Sequence, residues 1–266
     1  MRKIFILLNV TLIFLLFVSI GLAQGGEIMV TAHRGASGYC PENTLSSFKK
    51  AIELKAGIIE LDVHRSLDGE IVVIHDDKVD RTTNGKGKVK ELTLKELQSY
   101  DAGAWFAPEF KGEHIPTLRE VIKLIKGKIL LNIEIKAEGC EEGIVKIVKE
   151  EKIIDQIIVS SFHHQFLKKI KKINPQIKTA ALVTYSPDLK SIVEDIKADA
   201  LNIRWEFLNE SILKKAHQLG LEVNVWTVND KEALEKMIEL GVDGIITNYP
   251  DKLLELLAQK TQSKEL

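Results

Sequence analysis

The segment IIELDVHRSLDGEIVVIHDD, residues 58–77, holds two short apolar runs separated by polar residues. Ile58 to Val63 and Ile71 to Ile74 are rich in β-branched residues, the composition of buried strands, and Ser66-Leu67-Asp68-Gly69 between them is turn chemistry. Side chains alternate across a strand, so Glu60, Asp62 and His64 share one face of the first arm. Charge therefore stands where apolar residues belong. Two adjacent carboxylates repel unless a cation, a lysine or an arginine lies between them, and buried charges are either paired or bound to metal. The segment is read as a metal or phosphate site in preference to a purely structural ion network.

Outward from this hairpin the chain alternates short β-rich runs with amphipathic helices. A strand over Val30 to His33 and a helix over Thr44 to Lys55, with Thr44 as its N-cap, precede the hairpin. Residues 81–116 are polar, contain Thr82-Thr83-Asn84-Gly85 and Trp105-Phe106-Ala107-Pro108, and read as an insertion with the role of a lid. Strands are then expected at 129–135, 157–161, 179–183, 200–203, 222–228 and 244–247, each with a helix beside it, the last near 251–258. That makes nine strands, one more than an eightfold barrel needs. Parallel neighbours require a crossover of about a dozen residues. The link from Val63 to Ile71 has only seven, so Ile71 to Ile74 runs antiparallel as a returning arm. The eight remaining strands give an α/β chain: a (β/α)8 TIM barrel with an extra antiparallel hairpin strand and an insertion after it. The domain spans 27–258, and 259–266 is a polar tail. A doubly wound open sheet is the competitor, but Gly35-Ala36-Ser37-Gly38 lacks the helix start that a phosphate loop requires.

With 266 residues, 45% of them hydrophobic, the chain can bury one large core, and a net charge of −1 excludes a nucleic-acid footprint. Arg2-Lys3, the apolar run Ile4 to Ile20 and the small residues up to Ala23 read as a signal peptide over residues 1–23, so the protein is expected to be exported. Membrane contact is expected only through that segment, should it stay uncleaved. Cys40 and Cys140 are read as free thiols, although an oxidising compartment would permit a bridge. Nothing in the pattern sets an oligomeric state.

In such a barrel the active site lies at the C-terminal ends of the strands. Those ends carry His33 and Arg34, then Glu60 and Asp62, then Glu134 and Lys136, and late in the chain Trp226 and Asn248. Three carboxylates from two adjacent strands suit Mg²⁺ or Ca²⁺ bound through oxygen, and the absence of cysteine among them disfavours zinc. Arg34 and Lys136 suit a phosphate. His33 and His75 supply imidazoles, one to take a proton from an attacking oxygen and one to return a proton to a leaving oxygen. Trp226 is either a wall for the substrate or barrel packing, and His64 is read as a supporting residue.

His33-Arg34-Gly35, Pro41-Glu42-Asn43-Thr44, Glu60-Leu61-Asp62, His75-Asp76 and Glu134-Ile135-Lys136, in that order, resemble the glycerophosphodiester phosphodiesterase family, a branch of the phospholipase-C-like phosphodiesterase barrels. Trp226-Thr227-Val228-Asn229 and the run from Gly244 to Pro250 extend the resemblance, which covers Val30 to Pro250. It implies that His33 and His75 are the acid/base pair, that Glu60, Asp62 and Glu134 hold Ca²⁺ or Mg²⁺, that Arg34 and Lys136 contact phosphate, and that Glu42 lies nearby. The implied reaction is metal-dependent hydrolysis of a small glycerophosphodiester to sn-glycerol 3-phosphate and an alcohol, through a cyclic phosphate or by direct attack of water. A lysophospholipase D or a teichoic-acid hydrolase would use the same residues. A noncatalytic binding protein would lose a histidine, and both are present.

Overall fold

The computed structural model describes residues 27–264, so the segment read above as an export signal lies outside the described residues. Among those described, no helix is long and apolar enough to cross a membrane. Nine strands form one sheet: β1 Met29–Ala32, β2 Ile58–Arg65, β3 Ile71–Val73, β4 Leu130–Ile135, β5 Ile157–Ser161, β6 Lys178–Val183, β7 Ala200–Arg204, β8 Glu222–Trp226 and β9 Gly244–Thr247. Eight are parallel neighbours in the order β1-β2-β4-β5-β6-β7-β8-β9, and β9 returns to β1, closing a TIM barrel. The ninth, β3, lies outside the ring. It pairs antiparallel with the outer end of β2, from Val63↔Val73 to Arg65↔Ile71, beyond the two residues that β2 shares with β1. The short link thus produces the excursion expected of it.

The helices are α1 Leu45–Glu53, α2 Leu94–Ser99, α3 Leu118–Ile125, α4 Glu141–Glu151, α5 His164–Ile173, α6 Leu189–Ser191 running into a π turn at Ile192–Ile196, α7 Glu210–Gln218, α8 Lys231–Leu240 and α9 Pro250–Lys264. Their starts follow from local chemistry: Thr44 accepts from the Ser47 N–H, and Thr117 with Glu120 forms a capping box. Helices and strands share one continuous core in which Phe48, Ile59, Leu61, Leu131 and Ile133 are fully buried. The alternate residues of β2, Glu60 and Asp62, are left to the lumen, and this parity determines where the charge goes. Helix α9 runs through to Lys264, so the polar tail continues the last helix; from Leu253 to Lys264 no glycine or proline stops it.

The insertion has structure of its own. Thr93 and Glu96 form a capping box that starts α2, a helix absent from the sequence reading. Val72, Ile74, Val79, Val89, Leu97, Ala102 and Ile115 make a second small core on β3, so the insertion is a packed module. Trp105, Phe106 and Phe110 stack edge to face with one another, at centroid distances of 5.7 and 5.6 Å, with Trp105 and Phe106 exposed. Cys40 and Cys140 are buried free thiols, and burial pushes Cys140 up to about 12.

Candidate active site

Register places the carboxylates. Asp62 and Glu134 are direct partners across β2 and β4, Glu60 is two residues below Asp62 on the same face, and all three are buried. Each offers an oxygen, and these oxygens lie within 4.8 Å of one another. Burial and the charges of Asp62 and Glu134 raise Glu60 well above the usual carboxylate range; burial and Asp62 raise Glu134 to about 7. Burial also works against the charge of Asp62, but Arg34 and Lys136 outweigh it and hold that group below its ordinary value. Three oxygen donors that repel when ionised form a site that fits a hard divalent cation.

His33 follows β1 directly, and its N–H extends the pairing to β9 by donating to the Thr247 carbonyl at 2.9 Å. Its Nδ1 donates to Asn248 Oδ1 at 2.7 Å, which leaves Nε2 with a free lone pair. Burial and the adjacent Arg34 push the ring down to about 4, so it is neutral at ordinary pH. Arg34 sits in the left-handed region, φ 53°, which turns its N–H onto Glu60 Oε2 at 2.8 Å. Its guanidinium reaches Glu42 at 2.7 Å and lies 3.4 Å from Asp62.

His75 arrives from the other side, carried by β3. His64 Nε2 donates to its backbone carbonyl at 3.0 Å, which gives His64 a positioning role. The His75 ring donates from Nδ1 to Asp76 Oδ1 at 2.6 Å and accepts at Nε2 from Lys136 Nζ at 3.2 Å. Lys136 also bonds Glu134 at 2.8 Å. Both histidines therefore carry the proton on Nδ1 and present Nε2.

His33, Arg34, Glu60, His75, Glu134 and Lys136 line one cavity of about 110 Å³ together with Phe162 and Trp226, whose rings meet edge to face at 5.3 Å. Trp226 lines the cavity, and its Nε1 donates to the Asn202 carbonyl at 3.0 Å, a barrel contact. Sequence reasoning missed Phe162, although an aromatic just past a strand end was the available signal, and it missed Asn132 and Ser160. Asn132 Oδ1 and Ser160 Oγ are buried with no hydrogen-bond partner, and both residues line the cavity. His114, His163, His164 and His217 lie away from it, as do the insertion's aromatics; the insertion reaches the site through Arg81 instead.

A family profile described as the glycerophosphoryl diester phosphodiesterase family matches residues 33–252. The chain belongs to that family. Among relatives of this phosphodiesterase, the glycerophosphodiester phosphodiesterase of Caldanaerobacter subterraneus subsp. tengcongensis is 43% identical over 243 residues, covering 87% of this chain and 98% of the relative. One from Bacillus subtilis is 34% identical over 253 residues, covering 86% of each. A phosphodiesterase of Oleispira antarctica, solved in complex with its product sn-glycerol-3-phosphate, superposes with a TM-score of 0.82 at 34% identity, covering 85% of this chain and 95% of that one.

Proposed function

We propose that this phosphodiesterase hydrolyses small glycerophosphodiesters to sn-glycerol 3-phosphate and an alcohol, with His33 and His75 as the acid/base pair and Glu60, Asp62 and Glu134 as ligands of Ca²⁺ or Mg²⁺. The observation that carries the reading is the convergence of two imidazoles, two cations and the carboxylates of Glu60 and Glu134 on one small cavity, with Asp62 buried against the same two carboxylates. Arg34 and Lys136 lie on either side of Asp62, at 3.4 and 3.7 Å, and suit the equatorial oxygens of a phosphoryl group. His33, held neutral, takes the proton of the attacking oxygen on Nε2, while Asn248 keeps Nδ1 protonated. On the opposite side His75 acts once Nε2 has taken up a second proton in place of the Lys136 hydrogen bond: it passes that proton to the leaving alcohol and returns to the Nδ1-protonated neutral ring, while the ionised Asp76 at Nδ1 balances the transient imidazolium. When bound, the cation supplies positive charge beside the phosphoryl oxygens and acidifies the attacking hydroxyl. Phe162 and Trp226 line the same cavity and suit the glycerol moiety as an apolar wall.

The test is turnover of glycerophosphocholine, with and without chelator, by the parent protein and by His33→Ala and His75→Ala. Loss of the metal or of either imidazole is expected to lower kcat by about 10²–10⁴-fold, the range of a positioned proton-transfer group. Full activity after chelation, or in either variant, would sink the mechanism.

A further inference from the structure

Between His75 and Arg34, on the rim of the cavity, runs a chain of ion pairs centred on Arg81, the first residue of the insertion. Its guanidinium makes four hydrogen bonds. Nε donates to Asp76 Oδ2 at 2.7 Å and Nη2 to Asp76 Oδ1 at 3.0 Å; Nη1 donates to Glu42 Oε2 at 2.9 Å and Nη2 to Glu42 Oε1 at 2.8 Å. Each carboxylate then spends an oxygen on an active-site group: Asp76 Oδ1 on His75 Nδ1 at 2.6 Å, and Glu42 Oε1 on Arg34 Nη1 at 2.7 Å. Arg34 continues the chain to Asp62 at 3.4 Å. One planar fork thus grips two carboxylates bidentately, and each carboxylate orients a different part of the machinery.

We propose that Arg81 is a positioning residue for both halves of the site: through Asp76 it holds the His75 ring, and through Glu42 it holds the Arg34 fork. The inference rests on the reading of His75 and Arg34 given above. The Arg81 side chain is 45% exposed, so it contributes little to the folding core, and exposed ion pairs are individually weak. Their value here is geometric. Asp76 is partly exposed, and without its second partner it is free to rotate about its side-chain bonds. The ring then loses the shorter of the two contacts that keep its proton on Nδ1, leaving only Lys136 Nζ at Nε2, 3.2 Å away, and its orientation in the cavity is no longer fixed from behind. Glu42, released in the same step, leaves Arg34 with Asp62 as its remaining side-chain partner. A lysine cannot substitute, because a single ammonium cannot donate four bonds to two carboxylates in one plane.

The experiment compares the parent enzyme with Arg81→Ala and Arg81→Lys on glycerophosphocholine. Outer partners of this kind typically contribute about 10- to 100-fold in activity. Arg81→Ala is expected to lose that much in kcat with a smaller change in KM, to regain activity with added guanidinium ion, and to keep its thermal midpoint. Arg81→Lys should recover little. If Arg81 acts through Asp76, the double variant Arg81→Ala/Asp76→Asn should be little worse than Asp76→Asn alone. ¹⁵N NMR of the histidine ring nitrogens reads the tautomer without substrate: His75 should be Nδ1-protonated in the parent and mixed in Arg81→Ala. A kcat within two-fold of the parent, full activity in Arg81→Lys, additive double-variant losses or an unchanged tautomer would overturn the inference. An inactive parent enzyme would instead overturn the proposed function, and the tautomer would still decide the role of Arg81.

Discussion

Asn248 illustrates how much of this site depends on residues that do not line the cavity. It accepts from His33 Nδ1 at 2.7 Å, and its own N–H is held by Asn229 Oδ1 at 2.9 Å, so two asparagines from the last two barrel strands set the tautomer of a histidine from the first. Replacing it with leucine removes the acceptor, and kcat should fall by about 10-fold, the lower end of what such outer partners contribute. Asn248→Asp should behave differently. A carboxylate at Nδ1 favours the protonated ring and so raises His33 from about 4. The basic form is then lost at higher pH, and the acidic limb of the kcat/KM profile should move upward; a limb that stays in place would show that His33 is not the base. At this scale the sequence was informative about residue types and poor about partners. Glu60, Asp62, Glu134, His33 and His75 were legible because parity and strand ends locate them. Arg81 was not, because its grip on Glu42 spans 39 residues and no periodicity encodes it.

Among the elements, β3 is the one that shapes the site, since it carries His75 over the mouth. Its direction was readable from arithmetic alone: a seven-residue link is too short for a parallel crossover. The inner structure of the insertion was less accessible, although Thr93 and Glu96 stand at capping-box spacing and mark the start of α2. The π turn that extends α6 had no comparable signal, and the full length of α9 shows in the sequence only as the lack of a glycine or proline after Leu253. A second decisive element is the turn from β1 into α1. Gly35 has φ +78°, and a Cβ there would lie 2.7 Å from the backbone carbon of Ser47 on α1. Its N–H donates to the Glu60 carbonyl at 3.2 Å, tying this turn to β2 next to the Arg34–Glu60 contact. Gly35→Ala combines left-handed strain, about 1–2 kcal/mol, with overpacking, about 1–3 kcal/mol. Denaturant titration should show a loss of at least about 2 kcal/mol, and activity should fall further than stability as Arg34 turns away from Glu60. An unchanged midpoint would mean that α1 can retreat freely from β1.

The whole molecule is built around a lumen in which three carboxylates lie within 4.8 Å of one another, and the stability of the barrel is therefore linked to what neutralises them. In the folded, metal-free chain burial and neighbouring charge raise Glu134 to about 7 from an ordinary 4.5, and Glu60 moves in the same direction. Between about 4.5 and about 7 the folded state retains protons that the unfolded chain gives up. Their stabilisation is complete below the lower value and is lost as pH rises through the upper one. Asp62 shifts the opposite way but is already ionised in both states across this window. Below pH 6.5 His33 and His64, held neutral by burial, act in the opposite direction, because the unfolded chain protonates them first, so the thermal midpoint of the chelated protein should fall between pH 6.5 and pH 8. A divalent cation bound by the three carboxylates would take the place of those protons, so the stabilisation it gives should grow over the same range. At a metal concentration 100 times Kd it adds about 2.7 kcal/mol, which for a chain of this size is on the order of 5–10 °C. Glu134→Gln, a neutral imitation of the protonated side chain, should flatten the pH dependence and weaken the response to metal. A midpoint indifferent to Mg²⁺ and Ca²⁺ at pH 8 would mean that Arg34 and Lys136 already neutralise the cluster, and the hairpin's charges would revert to a structural ion network.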